Sequence, residues 1–492
     1  MICISISQSS RALALVDMHN AARQCDLLEI RLDRFQKPPR IKELVDARPK
    51  PVIMTCRRPQ DGGDWQGSEE DRQALLRQAM ADGADFVEIE LDIADQIPPH
   101  GKSKRVISYT NLKETPANIG ELYKRALKKK PDVVKLTTVA NTPEAAWPLL
   151  RIVAQTRVPT VIVGLGKPGV MLAILGRKVG APWTYAALEK GMEANPSQPT
   201  VTDLLRTYHY QSITKKTRFV GVTGLGIREE VTIGVFNGVF AHLGSPFRCL
   251  PLAVGKVGLF RKIMEAVKLA AVIVGEKDQR ALFPLAQKNV DSHAAATHTV
   301  ELLVRKKGAW RGFNHSYKGA VEALATTLRA RTGKEKPLKG RVAALIGVNW
   351  AAQAVGSRLM ELGVAVMVFA RDKARAQKLA RLLGCRFAAL EALYTTAHDV
   401  EIVCATESKK NGDKKQTLHV GHLKPGMTVM DLTSGLGRST FLQEAEKRGC
   451  TVVPPRQLFL SHLQRQVRLL TGKAVPVEPM AIVFNSLLPE EA

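Results

Sequence analysis

Aromatic side chains are scarce in this 492-residue chain, at 5% of the total, which leaves little material for stacking the bases of a nucleic acid. Cysteine is scarcer still. Cys3, Cys25, Cys56, Cys249, Cys385, Cys404 and Cys450 are odd in number, scattered, and never spaced as C-x-x-C, which excludes a disulfide framework and a zinc ribbon. Long apolar runs are missing too: none reaches the roughly 18 residues that cross a bilayer, so no membrane is expected. The opening Met1–Ile6 alternates like a strand and lacks the basic start and apolar core of a signal peptide, so the expected location is the cytoplasm. His419 with His422, and His293 with His298, are near neighbours but have no carboxylate or cysteine at metal-ligand spacing; no metal is expected. Acidic residues are also short, 46 against 72 Lys and Arg, for a net charge of +26. Such a surface draws anionic metabolites and phosphorylated cofactors. The basic residues come in short clusters such as Lys128 to Lys130 and Lys414-Lys415, spread along the chain. That is the pattern of a solvated surface, and it disfavours nucleic acid as a partner.

What is present is alternation. A chain of this length exceeds one core and suggests about three domains. Strand-like runs at 2–6, 27–33, 51–57, 86–92, 104–110, 133–138, 160–166 and 182–188 are mostly followed by amphipathic segments. Regular β-then-α alternation demands parallel strands with crossover helices, and eight such units close a barrel. Gln211 to Arg218 reads as a linker. From Phe219 the alternation resumes, with a helix at 231–243, a strand near 269–274 and a helical segment at 313–330. After Gly333-Lys334-Glu335-Lys336-Pro337 come strand 341–347, helix 351–362, strand 364–370, helix 372–383 and strand 400–405, the order of a doubly wound nucleotide-binding sheet. The predicted fold class is therefore α/β, an N-terminal (β/α)8 TIM barrel (1–210) followed by a two-domain α/β unit. That unit has a substrate-binding domain (218–335), a Rossmann-type domain (338–455) and a closing helical segment (456–492).

Lys135 ends the apolar run Val133-Val134-Lys135-Leu136, at the mouth of the sixth predicted barrel strand. The C-terminal strand ends of a barrel converge on one site, and a lysine there is a candidate imine-former on a ketone. The plainer alternative is a solvated or paired lysine.

Strand two reads Glu29-Ile30-Arg31-Leu32-Asp33, strand three Thr55-Cys56-Arg57 with Asp61-Gly62-Gly63 after it, and strand four follows Gly83-Ala84-Asp85. With Ser108-Tyr109, Thr115-Pro116, Val134-Lys135-Leu136, Leu165-Gly166, Thr184-Tyr185 and Gln198, the first 205 residues or so resemble type I 3-dehydroquinate dehydratase. The remainder is similar to shikimate dehydrogenase through Gly221-Val222-Thr223-Gly224, Asn237, Lys277, Gly312-Phe313-Asn314 and Thr471-Gly472. Fusions in this order resemble the bifunctional shikimate-pathway enzymes. The resemblance implies that Lys135 forms an imine with the C3 ketone of dehydroquinate, that a histidine shuttles protons, and that water leaves from C1 through an enamine. It assigns Glu29, Arg31, Arg57, Asp61 and Gln198 to the substrate. In the second half Lys277 is the catalytic lysine and Asn314 binds substrate. Gly347, Asn349, Arg371, Arg375 and Thr406 take NADP at an atypical loop. The implied partners are anionic small molecules: dehydroquinate, dehydroshikimate and shikimate. An oligomer stays open.

The chain departs from both patterns. Thr110 stands where the family has its catalytic histidine, and a hydroxyl does not titrate near neutrality. Leu172-Ala173 stand for a serine–arginine pair, and Ala194 for a serine. In the second half Ser316 replaces the lysine's aspartate partner, Glu230 and Thr232 replace two serines, and Val348-Asn349-Trp350 follow Gly347 where glycines are usual. Two alternatives follow: a metabolite-binding or regulatory homologue without turnover, or a barrel that keeps imine chemistry on another substrate.

Overall fold

The computed structural model describes residues 1–195, 197–286, 289–405 and 419–488. The chain forms two compact units, residues 1–225 with 240–270, and residues 226–239 with 271–492.

The first unit holds β1 (Ile2–Ile6), β2 (Leu27–Arg31), β3 (Val52–Thr55), β4 (Phe86–Glu90), β5 (Lys104–Asn111), β6 (Val133–Val139), β7 (Thr160–Leu165) and β8 (Thr184–Ala186). Their ladder runs β7-β6-β5-β4-β3-β2-β1-β8, all parallel, and the two end strands lie side by side to close the barrel. The crossover helices start on local signals. Ser68 accepts the Asp71 N–H at 3.1 Å ahead of an acidic first turn, and Thr142 accepts the Ala145 N–H at 3.2 Å, each satisfying an orphan donor of the first turn. The unit also contains the parallel pair β9 (Arg218–Thr223) and β10 (Phe247–Leu252).

Period-two alternation stacks the barrel interior in layers, each supplied by alternate strands. Leu27, Phe86 and Val133 from β2, β4 and β6, with Trp183 just ahead of β8, form the floor, and the Phe86 and Trp183 rings lie edge to face at 5.4 Å. Cys3, Ile53, Val106 and Val161 from the odd strands pack with them. Two residues above the floor, the even strands present Glu29, Glu88, Lys135 and Tyr185. Three apolar layers would fill a barrel; here the top layer is polar.

In the second unit β11 (Ala271–Ile273), β12 (Leu302–Lys306) and β13 (Ala309–Phe313) pair antiparallel in sequence. The expected helix over 313–330 begins only at Ser316 and runs to Thr332. The alternating Ala309-Trp310-Arg311-Gly312-Phe313 instead pairs with β12, because its aromatics fit a pleated surface better than a helix. Next come β14 (Val342–Ile346), β15 (Ala365–Phe369), β16 (Arg386–Ala388), β17 (Val400–Val403), β18 (Thr428–Asp431) and β19 (Thr451–Val452). They form one parallel sheet in the order β16-β15-β14-β17-β18-β19. That order reverses between β14 and β17, the switch point where doubly wound sheets bind nucleotides. The closing segment is two helices, Pro455–Thr471 and Val477–Leu487, parted at Gly472 with φ +73°. Among the described residues no helix is long and apolar enough to cross a membrane.

Candidate active site

The polar top layer of the barrel is one hydrogen-bonded cluster. Lys135 Nζ donates to Glu88 Oε2 at 2.8 Å and Glu29 Oε2 at 3.2 Å, and lies 4.5 Å from the centre of the Tyr185 ring. The Tyr185 hydroxyl donates to Glu29 Oε2 at 2.8 Å, and Ser5 Oγ to Glu29 Oε1 at 2.7 Å. Arg57 reaches in from the end of β3, with Nη2 at 2.8 Å from Glu29 and 3.4 Å from Glu88. Two carboxylates and two cations thus balance inside the barrel, with Lys135 only 3% exposed. Such balance is what makes buried charge tolerable.

A cavity of about 570 Å³ opens above this layer, and Glu29, Arg31, Arg57, Asp61, Lys135 and Gln198 all line it. The six barrel positions singled out in the sequence therefore share one site. Their roles in it differ. Arg31 is spoken for by Asp33 at 2.9 and 2.6 Å and by the Gly62 carbonyl at 3.1 Å. Asp61 accepts from Arg58 Nε at 2.6 Å, and Gln198 Oε1 accepts the Ala194 N–H at 2.7 Å. Arg57, by contrast, keeps a buried Nε without a partner. The turn that carries Asp61 requires glycine: a Cβ at Gly63 would sit 2.0 Å from the Arg57 carbonyl oxygen.

Thr110 lines the same cavity, two residues along β5 from Ser108, which is in register with Lys135. No histidine is among the lining residues described. Leu172 is buried and, with Ala173, lies outside the lining. Glu88 and Tyr185 are members of the site to which sequence reasoning assigned no role, although Tyr185 stands in a quoted motif and Glu88 in the strand-like run 86–92. Counting inward positions on the even strands from Lys135 finds both.

Burial pushes the Glu29 carboxyl up, but Arg57, Lys135 and Arg31 pull harder and hold it well below the usual range. Asp33 behaves alike: burial raises it, while Arg31 and the N–H groups of Asp64 and Arg57 bring it below. In the second unit burial opposes, and hydrogen bonds outweigh it, at Asp291 and Glu301. Groups with depressed native pKa values contribute stability above their unfolded values, about 3.9–4.3, and lose it as pH falls through the native ones. Thermal melts are expected to drop steeply below about pH 4. A melting temperature unchanged down to pH 3 would contradict these assignments.

The second unit has a polar cluster beside Ser316. Glu301, 3% exposed, accepts the N–H groups of His315 and Ser316 at 2.9 and 2.8 Å and faces His462 Nε2 at 3.5 Å. His315 Nε2 lies 3.1 Å from Asp291 Oδ2, which also accepts the Asn314 N–H at 2.9 Å. Asn314 is fully buried, donates to Thr299 Oγ1 at 2.6 Å and leaves its Oδ1 unpartnered. Lys277 is exposed on the turn Glu276–Asp278. The His315–Asp291 pair escaped sequence reasoning, since 24 residues separate its members.

At the end of β14, Gly347 has φ +87°, and a Cβ there would meet Ala405 at 2.8 Å. Asn349 caps the helix Trp350–Glu361, accepting the Ala352 N–H at 2.8 Å and donating to the Cys404 carbonyl at 2.6 Å. Arg375 donates to the Val348 carbonyl at 2.9 Å, and Arg371 is exposed just beyond β15. Thr406 lies outside the described residues.

Comparison with known proteins follows the same division. Residues 2–215 match the model of the type I 3-dehydroquinase family. The bifunctional 3-dehydroquinate dehydratase/shikimate dehydrogenase, chloroplastic, of Arabidopsis thaliana is 26% identical over 501 residues, covering 97% of this chain and 83% of that protein. The 3-dehydroquinate dehydratase of Methanococcus vannielii is 29% identical over 213 residues, covering 42% of this chain and 96% of that one. Among solved structures, the dehydroquinate dehydratase and shikimate dehydrogenase from S. pombe is similar with a TM-score of 0.47 at 17% identity, covering 99% and 98% of the two chains.

Proposed function

We propose, for a chain that resembles the bifunctional dehydroquinate dehydratase/shikimate dehydrogenases over nearly its whole length, that it dehydrates 3-dehydroquinate through Lys135 and reduces 3-dehydroshikimate with NADPH. The observation that carries the first half is the buried layer of Lys135, Glu29, Glu88 and Tyr185 beneath an open cavity.

Condensation of the Lys135 amine with the C3 ketone releases one water and leaves an iminium whose positive charge sits where Glu29 and Glu88 already point. Fixed carboxylates aimed at a developing charge stabilise it without reorganisation. The iminium draws electrons from the neighbouring carbon, a C–H proton is lost to a base, and the resulting enamine expels the C1 hydroxyl as water. The unpartnered Arg57 Nε suits the substrate's carboxylate or hydroxyls. The proton transfer is the step this cavity serves worst, because Thr110 occupies the base's place.

For reduction, NADPH supplies the hydride when bound. Gly347 leaves room where a side chain would fill the loop, Asn349 shapes the helix start, and Arg371 and Arg375 offer positive charge to a phosphate. Lys277 and Asn314 serve the substrate, and the His315–Asp291 pair stands beside Ser316, where the acid–base partner of Lys277 is missing. The seven free cysteines suit a reducing compartment such as the cytoplasm.

Both halves are separable by assay. Ultraviolet absorbance of the conjugated enone should rise when 3-dehydroquinate is added, slowly in the native chain. NADPH absorbance should fall when 3-dehydroshikimate follows. Neither change over hours at high protein concentration would favour the binding role over turnover, for which the missing base at Thr110 is the supporting observation.

A further inference from the structure

We propose that His398, Glu401 and His422 bind one divalent transition cation, Zn²⁺ best of all, inside the parallel sheet of the second unit.

Glu401 lies in the middle of that sheet, fully buried, on β17 between the register partners Ala344 and Val429. Those two belong to an apolar cluster with Phe369, Leu390 and Leu423. A carboxylate on such a face requires compensation. What it meets is two imidazoles on one oxygen: His422 Nε2 at 2.7 Å and His398 Nε2 at 3.2 Å from Oε2.

The proton positions make this more than a hydrogen-bonded triad. His398 Nδ1 is 2.8 Å from the Thr396 carbonyl, which can only accept, so the ring carries its proton on Nδ1. Nε2 faces Glu401 Oε2 at 3.2 Å, where it donates as an imidazolium and, once deprotonated, turns its lone pair to a cation. A backbone carbonyl on the far nitrogen is how metal-binding histidines are held in the ligating tautomer. A second, independent observation is the other Glu401 oxygen. Oε1 is buried without a partner, as is His422 Nδ1, and a buried polar atom left unpaired has given up water with nothing in exchange. A bound cation is the partner that a carboxylate in this position lacks.

The three ligand atoms lie within 4.8 Å of one another, and shifts of about 1 Å set them around one ion at the roughly 2.0–2.2 Å bonds of zinc. Two imidazoles select against Mg²⁺ and Ca²⁺, which take oxygen. Two histidines and a glutamate leave a fourth position for water. In register, Glu401 sits opposite Ala344, three residues short of Gly347, so the site lies within the sheet rather than at its cofactor edge. It joins the start of β17 to the stretch that leads into β18, and its expected role is to fix those two segments together.

The test uses the untagged full chain incubated with Zn²⁺, desalted and analysed for metal by mass spectrometry. One zinc per chain is expected, with a Co²⁺-loaded sample showing the visible d–d bands of a four-coordinate nitrogen and oxygen site. Glu401→Gln, His398→Gln and His422→Gln should each weaken binding at least about tenfold, while His419→Ala, an exposed neighbour, should leave one zinc bound. Since a core variant could misfold, circular dichroism accompanies each, and the native chain supplies a second readout: Zn²⁺ should raise its melting temperature in proportion to the logarithm of free metal. Far less than one zinc on the native chain, or full stoichiometry in properly folded Glu401→Gln and His422→Gln, would overturn the proposal.

Discussion

The Thr110→His variant is expected to dehydrate 3-dehydroquinate about 10²–10⁴-fold faster than the native chain, the usual contribution of one placed acid–base group. Thr110 lines the cavity and follows Ser108 by two residues on β5, so its side chain points the same way as the residue in register with Lys135. A hydroxyl there can hydrogen-bond, but it cannot take the proton that the iminium makes acidic. Histidine can, and the gain should appear in kcat with a pH profile turning near about 6.5. Thr110→Ala should give no gain, and Thr110→His combined with Lys135→Met should give none either. A variant that still forms the imine yet gains nothing would show that another group already moves the proton.

The second large effect is on stability. Glu29→Gln is expected to destabilise the chain by about 3–5 kcal/mol, the cost of leaving buried charge uncompensated. Glu29 accepts from Arg57, Lys135, Tyr185 and Ser5 at once, so its removal leaves two cations facing Glu88 alone. Charge imbalance has a sign that mere loss of packing lacks. Glu29→Gln together with Lys135→Met restores charge balance, so the double variant should be less destabilised than the sum of the single ones. Equilibrium denaturation of the four chains measures that coupling, and strict additivity would mean that the layer is not held by charge.

The barrel was legible because its strands keep period two and its helices carry caps, signals that lie within a few residues of one another. Lys135 was legible from its place on a predicted barrel strand, and Glu29 and Arg57 from the motifs that carry the family resemblance. Glu88 and Tyr185 required the layer count, which follows from topology once strand starts are known to within one residue. The hairpin of β12 and β13 was hidden by a short apolar segment whose pattern fits either element. His315 with Asp291, and His398 with Glu401 and His422, are assembled by tertiary contact across 24 residues in each set. His398 and Glu401 lie three residues apart, but His422 and the His315–Asp291 pairing come only from the fold, so no one stretch of sequence shows either set. The distinct fates of Arg31, bound up with Asp33, and Arg57, with a free Nε, are matters of rotamer and partner that composition does not carry.

Borohydride reduction of the native chain with 3-dehydroquinate, followed by peptide mass spectrometry, decides whether Lys135 forms an imine. A stable adduct on the peptide carrying Lys135, absent from Lys135→Met, is the expected result, even where turnover is slow. No adduct at saturating ligand, or label spread over surface lysines alone, would contradict imine chemistry in this barrel.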